Sequence, residues 1–82
     1  MNQIKRIREE IDKVDSEILK QLKKRIELIL KISEYKKENN LPIEDSAREE
    51  EIISSMELTD LDEKFVRDIY KVIFNYSKAR QK

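Results

Sequence analysis

The 82-residue sequence contains no cysteine, no histidine and no glycine. The absence of cysteine excludes disulfides and thiolate chemistry, and the absence of histidine removes imidazole chemistry and the commonest zinc ligand. Without glycine, the chain cannot form the glycine-rich loops that cradle phosphates in P-loop and dinucleotide-binding proteins. The composition therefore excludes several large classes of catalytic and cofactor-binding site.

Neither sign of charge predominates, since the chain has 18 basic and 18 acidic residues. Such a chain has no net field to attract nucleic acid or an anionic membrane, so any anion site must be local. The apolar runs are only a few residues long, and nothing resembles a signal peptide or a membrane span. We therefore expect a cytoplasmic protein that binds neither nucleic acid nor membrane.

What the sequence does contain is helical periodicity. Although 44% of the residues are charged, apolar residues recur at steps of three and four, which predicts ordered helices. A first helix is predicted from about Ile4 to Asn39, ending at Asn39 and Asn40 because asparagine can replace glycine as a left-handed cap. At about 1.5 Å per residue, this helix is roughly 50 Å long.

Two shorter helices should follow within the same single domain, residues 1–82. The second is predicted from Ser46 to about Glu57, with Asp45 and Ser46 as candidate N-caps and a capping box from Ser46 to Glu49. Its inward residues are expected to be Ile52, Ile53 and Met56.

The third helix is predicted from about Leu61 to near the C-terminus, with Asp60 and Glu63 forming a second capping box. Its apolar stripe comprises Phe65, Val66, Ile69, Val72, Ile73 and Tyr76. Ser77 and Gln81 continue the line of Ile73 at four-residue steps, so this face turns polar near its end.

The length of the first helix predicts the assembly. A compact domain of this size has a radius of gyration of only about 12 Å, so the helix must protrude and another chain must cover its apolar face. We therefore expect an all-α fold with three helices per chain, one long, one short and one medium, in an intertwined homodimer.

Cations interrupt the apolar face of the first helix. Its heptad a positions are Ile4, Ile11, Ile18, Arg25 and Ile32, and its d positions are Ile7, Val14, Gln21, Leu28 and Tyr35. Lys36 lies within about 20° of Arg25 on this face and about 16 Å further along the axis, so both side chains could close on one small ligand. Arg8 lies about 25 Å before Arg25 and could serve only the partner's site.

Each of these features has an ordinary structural explanation. A lone core arginine often extends to solvent or pairs with a carboxylate, the segment from Asp45 to Glu49 suits helix capping, and Ser77 and Gln81 suit a solvated helix end. Two buried cations without an acid on their own face are different, because an unpaired buried charge costs several kcal/mol. The residues alone predict a helical dimer with a polar, cationic pocket.

The full set of residues resembles the all-helical class of chorismate mutases. The resemblance covers essentially the whole chain. The residues on which it rests have the family's order and spacing: the Ile11–Leu19 segment, Arg25, Lys36, Pro42, Ile43, Asp45, Arg48, Glu49, Ser77 and Gln81. It implies rearrangement of chorismate to prephenate, a shikimate-pathway step in aromatic amino acid biosynthesis. It also implies a reaction that needs no nucleophile, metal or cofactor.

The resemblance further implies a role for each site residue. Arg25, with Arg8 from the other subunit, would bind the two substrate carboxylates. Lys36 and Gln81 would donate to the ether oxygen, with Lys36 also touching a carboxylate. Around these groups, Glu49 and Asp45 would hold the ring hydroxyl, and Arg48 and Ser77 would support the carboxylate end.

Two alternatives remain open. An isochorismate pyruvate-lyase shares this fold and cation set, although lyase relatives tend to lack the hydroxyl-binding acid that Glu49 and Asp45 supply. A non-enzymatic helical dimerisation module is the other alternative, and it would leave chorismate unchanged.

Overall fold

The computed structural model describes residues 2–56 and 60–82, and its regular structure over these residues is entirely helical. Helix α1 spans Asn2–Glu38, α2 spans Ser46–Ser55 and α3 spans Glu63–Gln81. The predicted all-α fold with one long, one short and one medium helix is therefore confirmed. The second helix ends at Ser55 with Met56 as its C-cap, and its predicted end at Glu57 lies outside the described residues.

Helix α1 determines the shape of the molecule. Its 37 residues correspond to about 55 Å of helix, and the chain measures 57 × 24 × 17 Å with a radius of gyration of 16.4 Å. A compact chain of this length would have a radius of gyration near 12 Å. The helix thus protrudes, as its predicted length required.

The end of α1 is a Schellman motif built on asparagine. Asn40 has a φ of 55°, the left-handed conformation that a residue with a short polar side chain tolerates. The Leu41 N–H donates to the Lys36 carbonyl at 2.8 Å, and the Asn40 N–H donates to the Lys37 carbonyl at 3.4 Å. This turn confirms the predicted cap. It also reverses the chain, so that the loop after α1 passes beside the Lys36 side chain.

The N-caps differ in part from the prediction. Asp45 caps α2 by accepting from the Arg48 N–H at 3.0 Å, so the predicted capping box starting at Ser46 is wrong. Asp62 caps α3 by accepting from the Phe65 N–H at 2.9 Å, so the box starting at Asp60 is wrong too. Two aspartates two residues apart offer the same capping group, and only the observed bond distinguishes them.

Helix α3 packs against both other helices, but little apolar surface is enclosed by one chain. Among the described residues, the only buried hydrophobic side chains are Ile53 and Val66. On α1, the exposed large apolar side chains are Ile4, Ile7, Ile11, Val14, Ile18, Leu19, Leu22, Leu28, Ile32 and Tyr35. The apolar residues of the predicted heptad columns are therefore exposed in the single chain.

The predicted inward residues of α2 and α3 are buried to different degrees. On α2, Ile53 is buried, and its neighbours Ile52 and Met56 are half-buried. The stripe of α3 is mostly open in the single chain, with Phe65, Ile69, Val72 and Tyr76 exposed. Within residues 2–56 and 60–82, no helix combines the length and hydrophobicity that a membrane crossing requires.

Candidate active site

The three helices and the loop after α1 surround a small polar cavity of about 70 Å³. The side chains that line it are Arg25, Ile29, Lys36, Ile43, Asp45, Arg48, Glu49, Ile52, Phe74, Ser77, Lys78 and Gln81. Seven of the eight predicted site residues are in this set, and Arg8 is not. The fold thus brings together side chains that lie up to 56 positions apart in the sequence.

Arg25 is held on two sides. Its Nη1 donates to the Ser77 hydroxyl at 2.8 Å, and that hydroxyl donates to the Ile73 carbonyl at 2.8 Å. The guanidinium carbon also lies 5.8 Å from the centre of the Phe74 ring, at cation–π distance. Because a guanidinium has five N–H donors, this arrangement orients the group and leaves donors for an anion.

Lys36 lies in the last turn of α1, where the chain folds back over it. Its Nζ donates to the Ile43 carbonyl at 2.9 Å, and the side chain is half-buried. An ammonium has three N–H donors, so two are left for a ligand in the cavity. The return of the loop therefore orients this cation as Ser77 orients Arg25.

Gln81 and Ser77 are buried, with only 4% and 7% of their surfaces exposed, so they do not form a solvated helix end. The Gln81 amide nitrogen donates to the Ser77 carbonyl at 3.2 Å. Its second amide hydrogen remains for another acceptor, and its Oε1 has no partner among the described residues. A buried amide with unused capacity points to a ligand or to a group from another chain.

The segment that begins α2 has both structural and site roles. Asp45 caps the helix through one carboxylate oxygen, which confirms the capping explanation, and it also lines the cavity. Arg48 pairs with Glu51 at 2.8 Å, where both side chains are more than 60% exposed. The charged group of Arg48 is thus directed to solvent in the single chain.

Lys78 is a cavity residue that sequence reasoning missed. Its Nζ lies 3.3 Å from a Glu44 carboxylate oxygen and 3.4 Å from Oε2 of Glu49. The hydrogen bond to Glu44 and the charges of both acids raise the pKa of Lys78. The available signal was its position three residues before Gln81 on α3, since residues at that spacing are neighbours on a helix.

The family model described as chorismate mutase type II matches residues 7–82. The chain belongs to the type II chorismate mutase family. That match contains Arg8 together with every residue that lines the cavity.

Two similar proteins accompany this family assignment. Over 56 residues, 68% of this chain, the sequence is 43% identical to a bifunctional chorismate mutase/prephenate dehydratase from Aquifex aeolicus (strain VF5). The matched region covers 16% of that protein, so this chain spans only a small part of the curated relative. A conserved hypothetical protein from Pyrococcus furiosus has a solved structure that matches with a TM-score of 0.84 and 40% identity, covering 100% of this chain and 99% of that one.

The charges of the cavity in this family member suit a small anion. Four cationic and two carboxylate side chains line it, an excess of two positive charges. The apolar wall formed by Ile29, Ile43, Ile52 and Phe74 limits water around these groups, which strengthens their interaction with a bound charge. Within the described residues, no group of three or more acidic side chains is placed to hold a metal ion.

Proposed function

We propose that the chain catalyses the rearrangement of chorismate to prephenate. The observation that supports this most directly is the gathering of eight polar side chains, seven of them predicted from the sequence, around a single cavity. In this unimolecular reaction an ether C–O bond breaks while a C–C bond forms, and no group is transferred to or from the protein. Catalysis then consists of orientation and of stabilising charge that develops on the ether oxygen.

Arg25 is the proposed anchor for a substrate carboxylate. A planar guanidinium can bind a carboxylate through two parallel hydrogen bonds. Its contacts with Ser77 at 2.8 Å and with the Phe74 ring hold that group in place before substrate arrives. Less side-chain entropy is then lost by Arg25 when the substrate binds. Ser77 supports this anchor rather than binding the substrate alone.

Lys36 and Gln81 are the proposed donors to the ether oxygen, and Lys36 also contacts a carboxylate. Each already donates one hydrogen bond to a backbone carbonyl, of Ile43 and Ser77 respectively. Those bonds fix the position of the donor atom, and each group keeps further hydrogens. Preorganised donors aimed at a developing negative charge stabilise the transition state more than the ground state.

Glu49 and Asp45 are the proposed acceptors for the ring hydroxyl. Asp45 uses one oxygen to cap α2, and Glu49 is held beside Lys78, so each carboxylate has a defined position and an oxygen to spare. Arg48 is proposed to support the carboxylate end. To do so it must exchange its exposed partner Glu51, and exposed pairs of this kind contribute little stability.

A homodimer is part of the proposal. Ten large apolar side chains of α1 are exposed in one chain, and an apolar groove of about 730 Å³ runs between α1 and α3. A second copy of α1 carries the complementary apolar face, and symmetric dimers bury the same surface on both subunits. We propose that Arg8 of each chain enters the cavity of the other and binds the second carboxylate.

The test is to incubate the purified chain with chorismate and, separately, with isochorismate, and to identify the products. We expect chorismate to disappear and prephenate to form. Salicylate with pyruvate, from isochorismate, would instead identify the pyruvate-lyase. Unchanged chorismate from a folded dimer would refute the proposal, and a dimerisation module would leave isochorismate unchanged as well. The variant Lys36→Met provides the control, since activity that survives this change comes from a contaminant or from another site.

A further inference from the structure

We propose that Lys78 is a positioning residue of this site, which holds the Glu49 carboxylate at the hydroxyl end of the cavity and supplies part of the positive charge that a dianion requires. The proposal rests on the function proposed above. It concerns a residue to which neither the sequence pattern nor the resemblance assigned a role.

The geometry of Lys78 joins three parts of the chain. The residue lies on α3, Glu49 lies on α2, and Glu44 lies in the loop between α1 and α2. The ammonium is 3.4 Å from Glu49 and 3.3 Å from Glu44. By contrast, the pairs Arg48–Glu51 and Lys64–Asp68 each lie within one helix. Lys78 therefore links the wall that carries the hydroxyl-binding acid to the helix that carries Ser77 and Gln81.

The surroundings of Lys78 also differ from those of a surface pair. The side chains of Lys78 and Glu49 are 27% and 28% exposed, whereas Lys64 is 86% exposed. Partly covered ion pairs are screened less by salt than exposed ones. The contact with Glu49 can thus restrict that carboxylate to one position, which an exposed pair rarely does.

Lys78 contributes strongly to the net positive charge of the residues that line the cavity. Without it, the chain would line its own cavity with three cations and two carboxylates, and that chain's excess of positive charge would fall from two to one. Glu49 would also stand near the substrate without its neutralising neighbour. Loss of Lys78 should therefore weaken substrate binding in two ways. The Glu49 carboxylate that accepts from the ring hydroxyl would become mobile, and the electrostatic potential of the cavity would be less favourable for a dianion.

These routes act on the bound substrate and the transition state alike, because the ring hydroxyl is not part of the bonds that break and form. Interactions equal in both states change KM and leave kcat nearly constant. We expect Lys78→Met to raise KM about tenfold, the effect of losing one charge-assisted contact, with kcat changed less than about threefold.

The experiment compares steady-state kinetics of four proteins: the wild type, Lys78→Met, Lys78→Arg and Lys64→Met. Lys78→Arg keeps the charge and should restore KM to within about threefold of the wild type. Lys64→Met removes a lysine from an ion pair on the same helix, away from the cavity, and should behave as the wild type. Equal KM for Lys78→Met and the wild type would overturn the proposal, as would equal impairment of Lys78→Arg and Lys78→Met.

A second measurement is independent of turnover. Titration of the Lys78 side-chain resonances by NMR should show a pKa above the ordinary lysine value of 10.5, and Glu49→Gln should lower it. A pKa of Lys78 that does not respond to Glu49→Gln would refute the contact itself. If the wild type leaves chorismate unchanged while this titration behaves as expected, the proposed function fails and the contact between Lys78 and Glu49 stands.

Discussion

Subunit mixing tests the shared site most directly. Arg8 and Arg25 lie on the same continuous helix α1, and their seventeen-residue spacing separates them by about 25 Å along its axis. Arg8 does not line the cavity of its own chain, whereas Arg25 does. If each active site needs both arginines, Arg8→Ala and Arg25→Ala must each inactivate both sites of a homodimer.

The recovered activity can be calculated from symmetry. Equal amounts of the two inactive variants, after exchange, give half of the dimers as heterodimers. In each heterodimer one site carries both substitutions and the other carries neither, because Arg8 and Arg25 of one site come from different chains. The mixture should therefore regain about one quarter of wild-type activity per subunit, the value for a two-fold symmetric dimer.

The assay follows chorismate consumption after the two variants are mixed and subunit exchange is confirmed by mass spectrometry of differently labelled chains. The matched control is a mixture of Arg25→Ala and Lys36→Ala. Both residues line the same cavity of the same chain, so neither site of that heterodimer is intact and no activity should return.

Two results would exclude a site shared between the subunits. If exchange is demonstrated and no activity returns, then Arg8 and Arg25 do not serve one site from two chains. If the Arg8→Ala homodimer keeps wild-type turnover, the second carboxylate is bound by another group. Recovery in the control mixture would show that the two substitutions inactivate the protein for a reason other than their shared position.

Three further predictions concern the same cavity. Arg25→Leu should lower kcat/KM by more than about a thousandfold, because a substrate carboxylate loses its buried partner, while thermal unfolding shows stability unchanged or raised. The fold should survive, since Ser77 keeps its hydrogen bond to the Ile73 carbonyl, and an unfolded variant would contradict this prediction. Ser77→Ala removes the hydroxyl that accepts a hydrogen bond from Arg25 and should lower kcat/KM, measured by steady-state kinetics, about tenfold. A hydrogen bond to a charged group contributes about 1.5 kcal/mol or more. Ser77→Thr keeps a hydroxyl and should retain most of the activity. Because the Gln81 amide does not titrate, kcat should stay level between pH 5 and 8, and Gln81→Glu should be active only where its carboxyl is protonated. A steep fall in the wild-type rate across that range would exclude Gln81 as the ether donor.

Much of the fold could be predicted because its signals are local. The period of the apolar residues predicted three helices, and Asn40 predicted the end of α1, which its φ of 55° confirms. The capping residues were harder, since Asp60 and Asp62 carry the same group and the bond to Phe65 selects the second. The length of α1 predicted its protrusion, which follows from helix geometry alone.

The candidate site was predictable to the extent that it lies on periodic faces. Arg25 and Lys36 share one face of α1, and Ser77 and Gln81 share one face of α3, so spacing alone could associate each pair. The direction of a long side chain cannot be obtained in this way. Arg48 has the expected position in the sequence, yet its guanidinium pairs with exposed Glu51.

The amino-acid sequence was enough to predict the helices, because they depend on neighbours within a few positions. The order of the polar residues along the whole chain was enough to show the family resemblance. The tertiary structure decided that α1, α2, α3 and the loop enclose one cavity, and that Lys78 contacts an acid 29 positions earlier in the chain. Such contacts depend on how helices cross and where loops return, and no periodicity encodes them. Arg25 could be predicted as an unusual cation on an apolar face, because that pattern is local. The Ser77 hydroxyl and the Phe74 ring that orient it were found only in the folded chain.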